Sequence, residues 1–128
     1  MIKMLCEHLY IVIVSVLFTI IIGVPIGVAA YFCSRVRKVV LWIVDVLQTI
    51  PALALLGTIM VFLGAGKITV IVGLVLYSLL PVVHNTYLGL SGVDHAIKEA
   101  AHGMGMTRFY RLIHVEIPIA FPVIFTGI

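Results

Sequence analysis

The sequence predicts an all-α integral membrane protein, a polytopic helical bundle with three complete membrane-spanning helices and the start of a fourth. The first observation is composition: 63% of the 128 residues are hydrophobic and 10% are charged, whereas an average soluble domain has about 45–50% and about 25%. The second is a series of apolar runs of about 20 residues, the length that crosses a bilayer as a helix. The third is that most of the basic residues lie between these runs, as topology signals do.

The first predicted span covers residues 9–32, which carry no charge. This run is longer than the roughly 7–15 apolar residues of a signal peptide, so we expect it to remain as an anchor. Two glycines and a proline lie in its second half: Gly23, Pro25 and Gly27. Because proline removes a backbone donor and glycine lets neighbouring backbones approach, we expect a kink or a close helix crossing there.

Two cysteines flank this run, Cys6 before it and Cys33 after it. A helix that rises ~1.5 Å per residue places them about 40 Å apart, on opposite sides of the membrane, so they are not expected to pair. Three basic residues follow immediately: Arg35, Arg37 and Lys38. Loop 33–38 is therefore expected to be cytoplasmic and the N-terminus to be outside.

The second and third predicted spans cover residues 39–63 and 68–88, joined by a tight external turn. Asp45 and Gln48 are three residues apart and share a helix face, which is expected to point into the bundle or a hydrated cavity. Asp45 is equally well interpreted as a structural charge at the membrane interface. The candidate pathway or gate residues in the two spans are Asp45, Gln48, Pro51, Tyr77, Pro81, His84 and Asn85. An alternative interpretation of the polar residues of the third span is that they anchor it at the interface, since they lie toward its cytoplasmic end.

The largest polar stretch is residues 91–116, called the polar loop below. Its basic residues place it in the cytoplasm: Lys98, Arg108 and Arg111. Asp94 is predicted to cap a short helix that begins at His95 and that two glycines, Gly103 and Gly105, terminate. Thr107 is predicted to cap a second short helix.

Residues 117–128 are apolar again, but this run of 12 residues is too short to span a bilayer. We interpret it as the start of a fourth span in a truncated chain.

The polar loop resembles the permease subunits of bacterial ABC importers, whose pattern is EAA, three residues, Gly, nine residues, then Ile-x-Leu-Pro. At that spacing this chain has Glu99-Ala100-Ala101, Gly105 and Val115-Glu116-Ile117-Pro118. Within this family, QTIPALALLG at residues 48–57 and LYSLLPVVHNTYLGL at residues 76–90 are similar to the glycine betaine/carnitine/choline permeases. His84 stands where many relatives are expected to have arginine, which would replace a fixed charge with a titratable one.

The resemblance implies one permease domain over residues 1–128, of the type I ABC importer kind, in the plasma membrane of a bacterium. It implies that the first helix of the polar loop, residues 94–105, is a coupling helix that docks on a cytoplasmic ATP-binding subunit. The implied coupling residues are Asp94, Ile97, Glu99, Ala100, Ala101, Gly103, Gly105 and Pro118. Val93 and Ile97 are further expected to be apolar anchors for that partner.

The same resemblance implies quaternary ammonium osmolytes as substrates: glycine betaine, carnitine or choline. The other implied partners are an extracytoplasmic substrate-binding protein, a second permease subunit in a homodimer or heterodimer, and membrane lipid. ATP and Mg belong to the ATP-binding subunit, so no cofactor or metal is expected in this chain, and no nucleic acid is expected as a partner.

Three other functions are less well supported by the residues. A small proton-coupled multidrug exporter needs a carboxylate deep in a span, whereas Asp45 is shallow. Residues 100–112 superficially resemble a DNA-binding helix-turn-helix motif, but the chain lacks the third helix and the soluble domain that would hold such a motif. An enzyme is not expected, since no nucleophile–base set is present and residues 64–67, GAGK, lack the spacing of a phosphate-binding loop.

Overall fold

The computed structural model describes all residues from Met1 to Ile128 and consists of helices alone. In chain order these are α1 (Ile2–Phe32), α2 (Ser34–Gln48), α3 (Ala52–Leu63), α4 (Lys67–Ser91), α5 (His95–Gly103), α6 (Arg108–Arg111), a π-helical turn (Leu112–Glu116) and α7 (Ile117–Thr126). Three helical segments are long and apolar enough to cross a membrane: α1, α4 and the continuous stretch Arg108–Thr126. The chain is therefore a helical membrane protein, as the sequence predicts.

Helices α1 and α4 form the centre of the bundle and run parallel. At one end, Lys67 at the start of α4 pairs with Glu7 near the start of α1, 3.1 Å apart. Toward the other end, Gly27 of α1 lies against Thr86 of α4. The chain between these helices therefore has to return along the whole of α1, which at 31 residues is about 46 Å long.

A stripe of small residues on α1 makes close packing against α4 possible. The buried residues of α1 are all small: Ser15, Thr19, Gly23, Gly27 and Ala30. The hydroxyl groups of Ser15 and Thr19 donate to carbonyls one turn back on α1 itself, at 2.7 and 2.8 Å. Contact with α4 is therefore mainly van der Waals packing of backbone on side chain, the mode that small residues permit in membranes. The predicted close crossing at Gly23 and Gly27 is confirmed.

The second predicted span, residues 39–63, consists of two helices in the structure. Its two parts, α2 and α3, are bent by 98° at the break between them. Pro51 causes this break, because it has no N–H to continue the helix and adopts an extended conformation, φ −58° and ψ 136°. The start also differs, since α2 begins at Ser34 and so includes the basic residues that were expected to form a loop.

The apolar run at residues 117–128 does not begin a separate helix, because it continues from the second short helix of the polar loop. The π-helical turn joins α6 to α7 through a bond from the Ile117 N–H to the Leu112 carbonyl, five residues back. A π turn widens the helix locally, and Pro118 follows it in the first turn of α7, where the missing N–H is tolerated. The result is a 19-residue segment that is long enough to span, in place of the short apolar stretch expected from residues 117–128.

The buried core is small and lies where the polar loop meets the helices. Its larger cluster joins the end of α4 to the last helix: Leu90, Val93, Leu112, Ala120 and Ile124. Many large apolar side chains elsewhere are exposed, such as Phe62 of α3 at 82%. Lipid tails are as apolar as these side chains, so an exposed apolar surface is the expected outer face of a membrane bundle.

Candidate functional site

Helix α5 is the first short helix of the polar loop, and local interactions set both of its ends. The Asp94 carboxylate accepts a hydrogen bond from the Ala96 N–H at 2.9 Å, which satisfies one of the free donors at the helix start. At the other end, Gly105 takes a φ of +81°, a conformation that side chains disfavour. Thr107 then accepts from the Tyr110 N–H at 3.3 Å and begins α6. The predicted caps and stop are confirmed.

The predicted coupling and anchor residues in and beside α5 differ in their exposure. Glu99 and Ala100 are exposed, and Glu99 pairs with His95 at 2.9 Å on the surface. Ile97 is 39% exposed, so part of its side chain is open to a partner. Ala101 and Val93 are buried instead, which differs from the expectation that both meet a partner. They hold α5 against the core.

Two arginines and a lysine from three different segments converge on the C-terminal end of α1. Arg37 of α2 donates through Nε and Nη2 to the carbonyls of Ala30 and Tyr31, each at 3.1 Å. Arg108 of α6 lies 3.5 Å from the carbonyl of Phe32. These carbonyls have no partner within the helix, and the end of a helix carries partial negative charge. The basic residues therefore stabilise the end of α1.

Aromatic rings at this end are each covered by one of these cations. Arg37 lies 5.1 Å from the ring centre of Tyr87, and Arg108 lies 4.5 Å from that of Phe32. Lys98 of α5 lies 4.8 Å above the ring of Tyr31. The attraction of a cation to an aromatic face adds to the carbonyl contacts, so α2, α5 and α6 are all attached to the same end of α1.

Glu116 is the most deeply buried ionisable residue of this region. Its side chain is fully buried, and its Oε1 accepts a hydrogen bond from the Tyr31 hydroxyl at 2.8 Å. The Nε of Arg111 lies 3.8 Å from the same oxygen. Neither Glu116 nor Tyr31 was predicted from the sequence to take part in such a contact. The one sequence signal for a buried carboxyl group here was that Glu116 is an acidic residue next to an apolar run, at the variable position of the Ile-x-Leu-Pro pattern.

The predicted pathway residues do not come together in this chain. Asp45, Gln48 and Tyr77 are exposed on the outside of their helices. Asn85 instead lies beside the last helix, where its Nδ2 is 3.5 Å from the Thr126 hydroxyl. The groove of about 210 Å³ between α1, α2 and α4 has an entirely apolar lining, without Asp45. No enclosed polar pathway is formed by these residues.

Cys33 occupies the single-residue connection between α1 and α2. The backbone N–H groups of Val36 and then Arg35 donate toward its sulfur, and these hydrogen bonds lower the pKa of the thiol. The positive charge of Arg37 acts in the same direction. Cys33 and Cys6 are both free and exposed, so the two thiols differ in their surroundings more than in their access to solvent.

Comparison with known proteins places most of the chain in one family. Residues 19–128 match the family described as binding-protein-dependent transport system inner membrane component. The glycine betaine/carnitine/choline transport system permease protein OpuCB of Bacillus subtilis is 43% identical over 95% of this chain and 56% of its own length. The choline transport system permease protein OpuBD of the same organism is 45% identical over 89% of this chain and 50% of its own length.

A relative from another organism gives the same result. The osmoprotectant import permease protein OsmY of Salmonella typhimurium is 42% identical over 95% of this chain and 52% of its own length. The chain thus spans about half the length of the curated relatives it matches. The resemblance inferred from the EAA pattern is confirmed at the level of the family.

Proposed function

Because the chain belongs to the family of binding-protein-dependent transport system inner membrane components, we propose that it is a permease subunit of an ATP-driven importer for quaternary ammonium osmolytes. The substrates we propose are glycine betaine, carnitine and choline, which the names of three relatives include. The partners are an ATP-binding subunit, which carries the ATP and Mg, a substrate-binding protein and a second permease subunit.

The observation that carries the proposal is the construction of α5. It is a short, capped helix that projects Glu99 and Ala100 outward, while Ala101 fixes its opposite face in the core. A transporter that uses ATP hydrolysed on another subunit needs such a rigid projecting element to receive the movement of that subunit. The exposed part of Ile97 and the charge of Glu99 give a partner groove one apolar and one polar contact.

The test is reconstitution of the chain, within its transporter, with the ATP-binding subunit and the substrate-binding protein. We expect the ATP-binding subunit to co-purify with the chain, and labelled glycine betaine, carnitine or choline to accumulate in vesicles only when ATP is supplied. Uptake driven by a pH gradient without ATP would instead indicate the proton-coupled exporter. Absence of both co-purification and ATP-driven uptake would refute the proposal.

We also propose that the N-terminus is outside and that the polar loop is cytoplasmic. In sealed right-side-out vesicles, a membrane-impermeant maleimide is expected to label the Cys33→Ser variant, which retains Cys6. The Cys6→Ser variant, which retains Cys33, is expected to be labelled only after permeabilisation. The opposite pattern would invert the topology.

The same two variants report the lowered pKa of Cys33. A lower pKa means that the thiolate, the reactive form, is present at lower pH. In detergent near neutral pH, Cys33 should therefore react with maleimide faster than Cys6, and its rate should reach a plateau at a lower pH. Equal rate–pH profiles for the two thiols would contradict the assigned hydrogen bonds.

A further inference from the structure

We infer that Tyr31, Glu116 and Arg111 form a joint through which movement of α5 reaches α1. They are positioning residues, since none of them lies on the exposed face of α5. The inference rests on the proposed function and extends it, from the surface that meets the ATP-binding subunit to the contact that transmits movement into a span.

The side chain of Glu116 is fully buried. A fully buried carboxyl group is costly unless it is paired, so its partners are strongly constrained. Its hydrogen bond to the Tyr31 hydroxyl links positions 85 residues apart. This bond fastens the π-helical turn at the start of the last helix to the final turn of α1. Neither segment can then shift alone without leaving a buried polar group unpaired.

The pairing of Glu116 is incomplete. Its Oε2 and the Nε of Arg111 are both buried without a hydrogen-bond partner. Arg111 Nε is 3.8 Å from Glu116 Oε1, so a displacement of about 1 Å would bring an N–H and a carboxylate oxygen into hydrogen-bond range. A charge-assisted contact of this kind is among the stronger hydrogen bonds. A small displacement of the π-helical turn would therefore change the partners of Glu116. Two alternative sets of contacts are what a two-state element requires.

Helix α5 also contacts Tyr31, through Lys98. Lys98 of α5 donates to the Leu90 carbonyl at 3.1 Å and lies over the Tyr31 ring. The ring of Tyr31 thus contacts α5, its hydroxyl contacts the last helix, and its carbonyl accepts from Arg37. A push on α5 therefore acts on the residue that also holds Glu116.

The experiment separates transmission from docking and from folding. Tyr31→Phe removes only the hydroxyl and keeps the ring under Lys98, and Glu116→Gln keeps the size of the side chain. The matched controls are Tyr10→Phe and Glu7→Gln, which make the same chemical changes at exposed positions near the other end of α1. Each variant is assembled into the complete transporter in proteoliposomes, where basal ATPase, ATPase stimulated by the loaded binding protein, and uptake are measured.

We expect each joint variant to lose roughly tenfold in stimulated ATPase and uptake, the size that the loss of one charged hydrogen bond predicts. Basal ATPase and co-purification of the ATP-binding subunit should stay unchanged, because the exposed face of α5 is intact. The double variant should be no worse than the more severe single variant, since both changes break one contact. A purely structural brace would instead lower the amount of folded protein and leave stimulation per folded transporter unchanged.

The joint is refuted if Tyr31→Phe and Glu116→Gln are stimulated as well as the two controls, or if their losses follow the amount of folded protein. Should Glu116→Gln fail to accumulate, Tyr31→Phe decides the question alone, because it leaves the carboxyl group and Arg111 in place. An unaltered chain that neither binds the ATP-binding subunit nor takes up substrate overturns the proposed function, and the joint with it. Normal uptake with insensitive variants overturns the joint alone.

Discussion

Gly27→Leu is expected to prevent α1 and α4 from packing, and with it the accumulation of folded protein. A Cβ at this position would lie 2.5 Å from the Cβ of Thr86 and 3.0 Å from the carbonyl oxygen of Val83. Thr86 is fully buried and its hydroxyl donates to Val82 at 2.7 Å, so it cannot turn away without losing that bond. Overpacking of this kind costs roughly 1–3 kcal/mol for added methylenes, and leucine adds a whole side chain against a backbone.

The measurement is the fraction of protein that remains monodisperse in detergent after heating. The matched control is Gly57→Leu, since a Cβ at Gly57 of α3 has nothing within 4 Å. A rescue tests the cause directly: Gly27→Ala should be destabilising, and Thr86→Gly should restore part of the loss by removing the side chain in the way. If Gly27→Leu is as stable as Gly57→Leu, the close crossing is absent.

Gly105→Val is expected to abolish most ATP-driven uptake while the protein still inserts and folds. The residue adopts a φ of +81° immediately after α5, and a β-branched side chain there costs about 1–3 kcal/mol of backbone strain. The chain relieves that strain by altering the turn that sets the direction of α5 relative to α6. A change of about 1.4 kcal/mol corresponds to a factor of ten in rate, so we expect a loss of roughly tenfold or more.

Gly64→Val is the control for this effect. Gly64 also has a positive φ, +78°, and open space around it, but it lies between α3 and α4 at the opposite end of the bundle. Both variants should lose stability by a similar amount in thermal unfolding. Only Gly105→Val should lower uptake per folded transporter, and an equal loss in the two variants would mean that strain alone, not the orientation of α5, limits transport.

Pro51 and Pro118 show that the rule that proline interrupts a helix has different outcomes at different positions. Pro51 lies in the middle of the second apolar run and Pro118 at the start of the last one, and each removes a donor that a helix needs. At Pro51 the chain breaks by 98°. At Pro118 a π-helical turn precedes the proline and the helix continues. The outcome depends on whether the preceding turn can widen, and that turn is held by the buried Glu116, so the sequence rule alone could not distinguish the two.

In the candidate site, too, some features follow from the local sequence and others depend on contacts between distant segments. Asp94, Gly105 and Thr107 act on neighbours a few residues away, so the ends of α5 and the start of α6 were predicted correctly. Ala101 was predicted to meet a partner but is buried, because its exposure depends on how α5 rests on the core. The contact between Tyr31 and Glu116 joins residues 85 positions apart, and no local pattern indicates such a pairing.

The sequence by itself determined that the chain is a helical membrane protein, that a capped α5 projects from the polar loop, and that its EAA spacing belongs to a permease family. These properties follow from composition, from hydrogen bonds over one helical turn, and from residue order. Only the tertiary structure decided which face of α5 is free, where the second span bends, and how the ends of α1 and the last helix are tied together. Those features arise from close contact between distant segments, where small residues set the distance between helices and a buried carboxyl group selects its own partners.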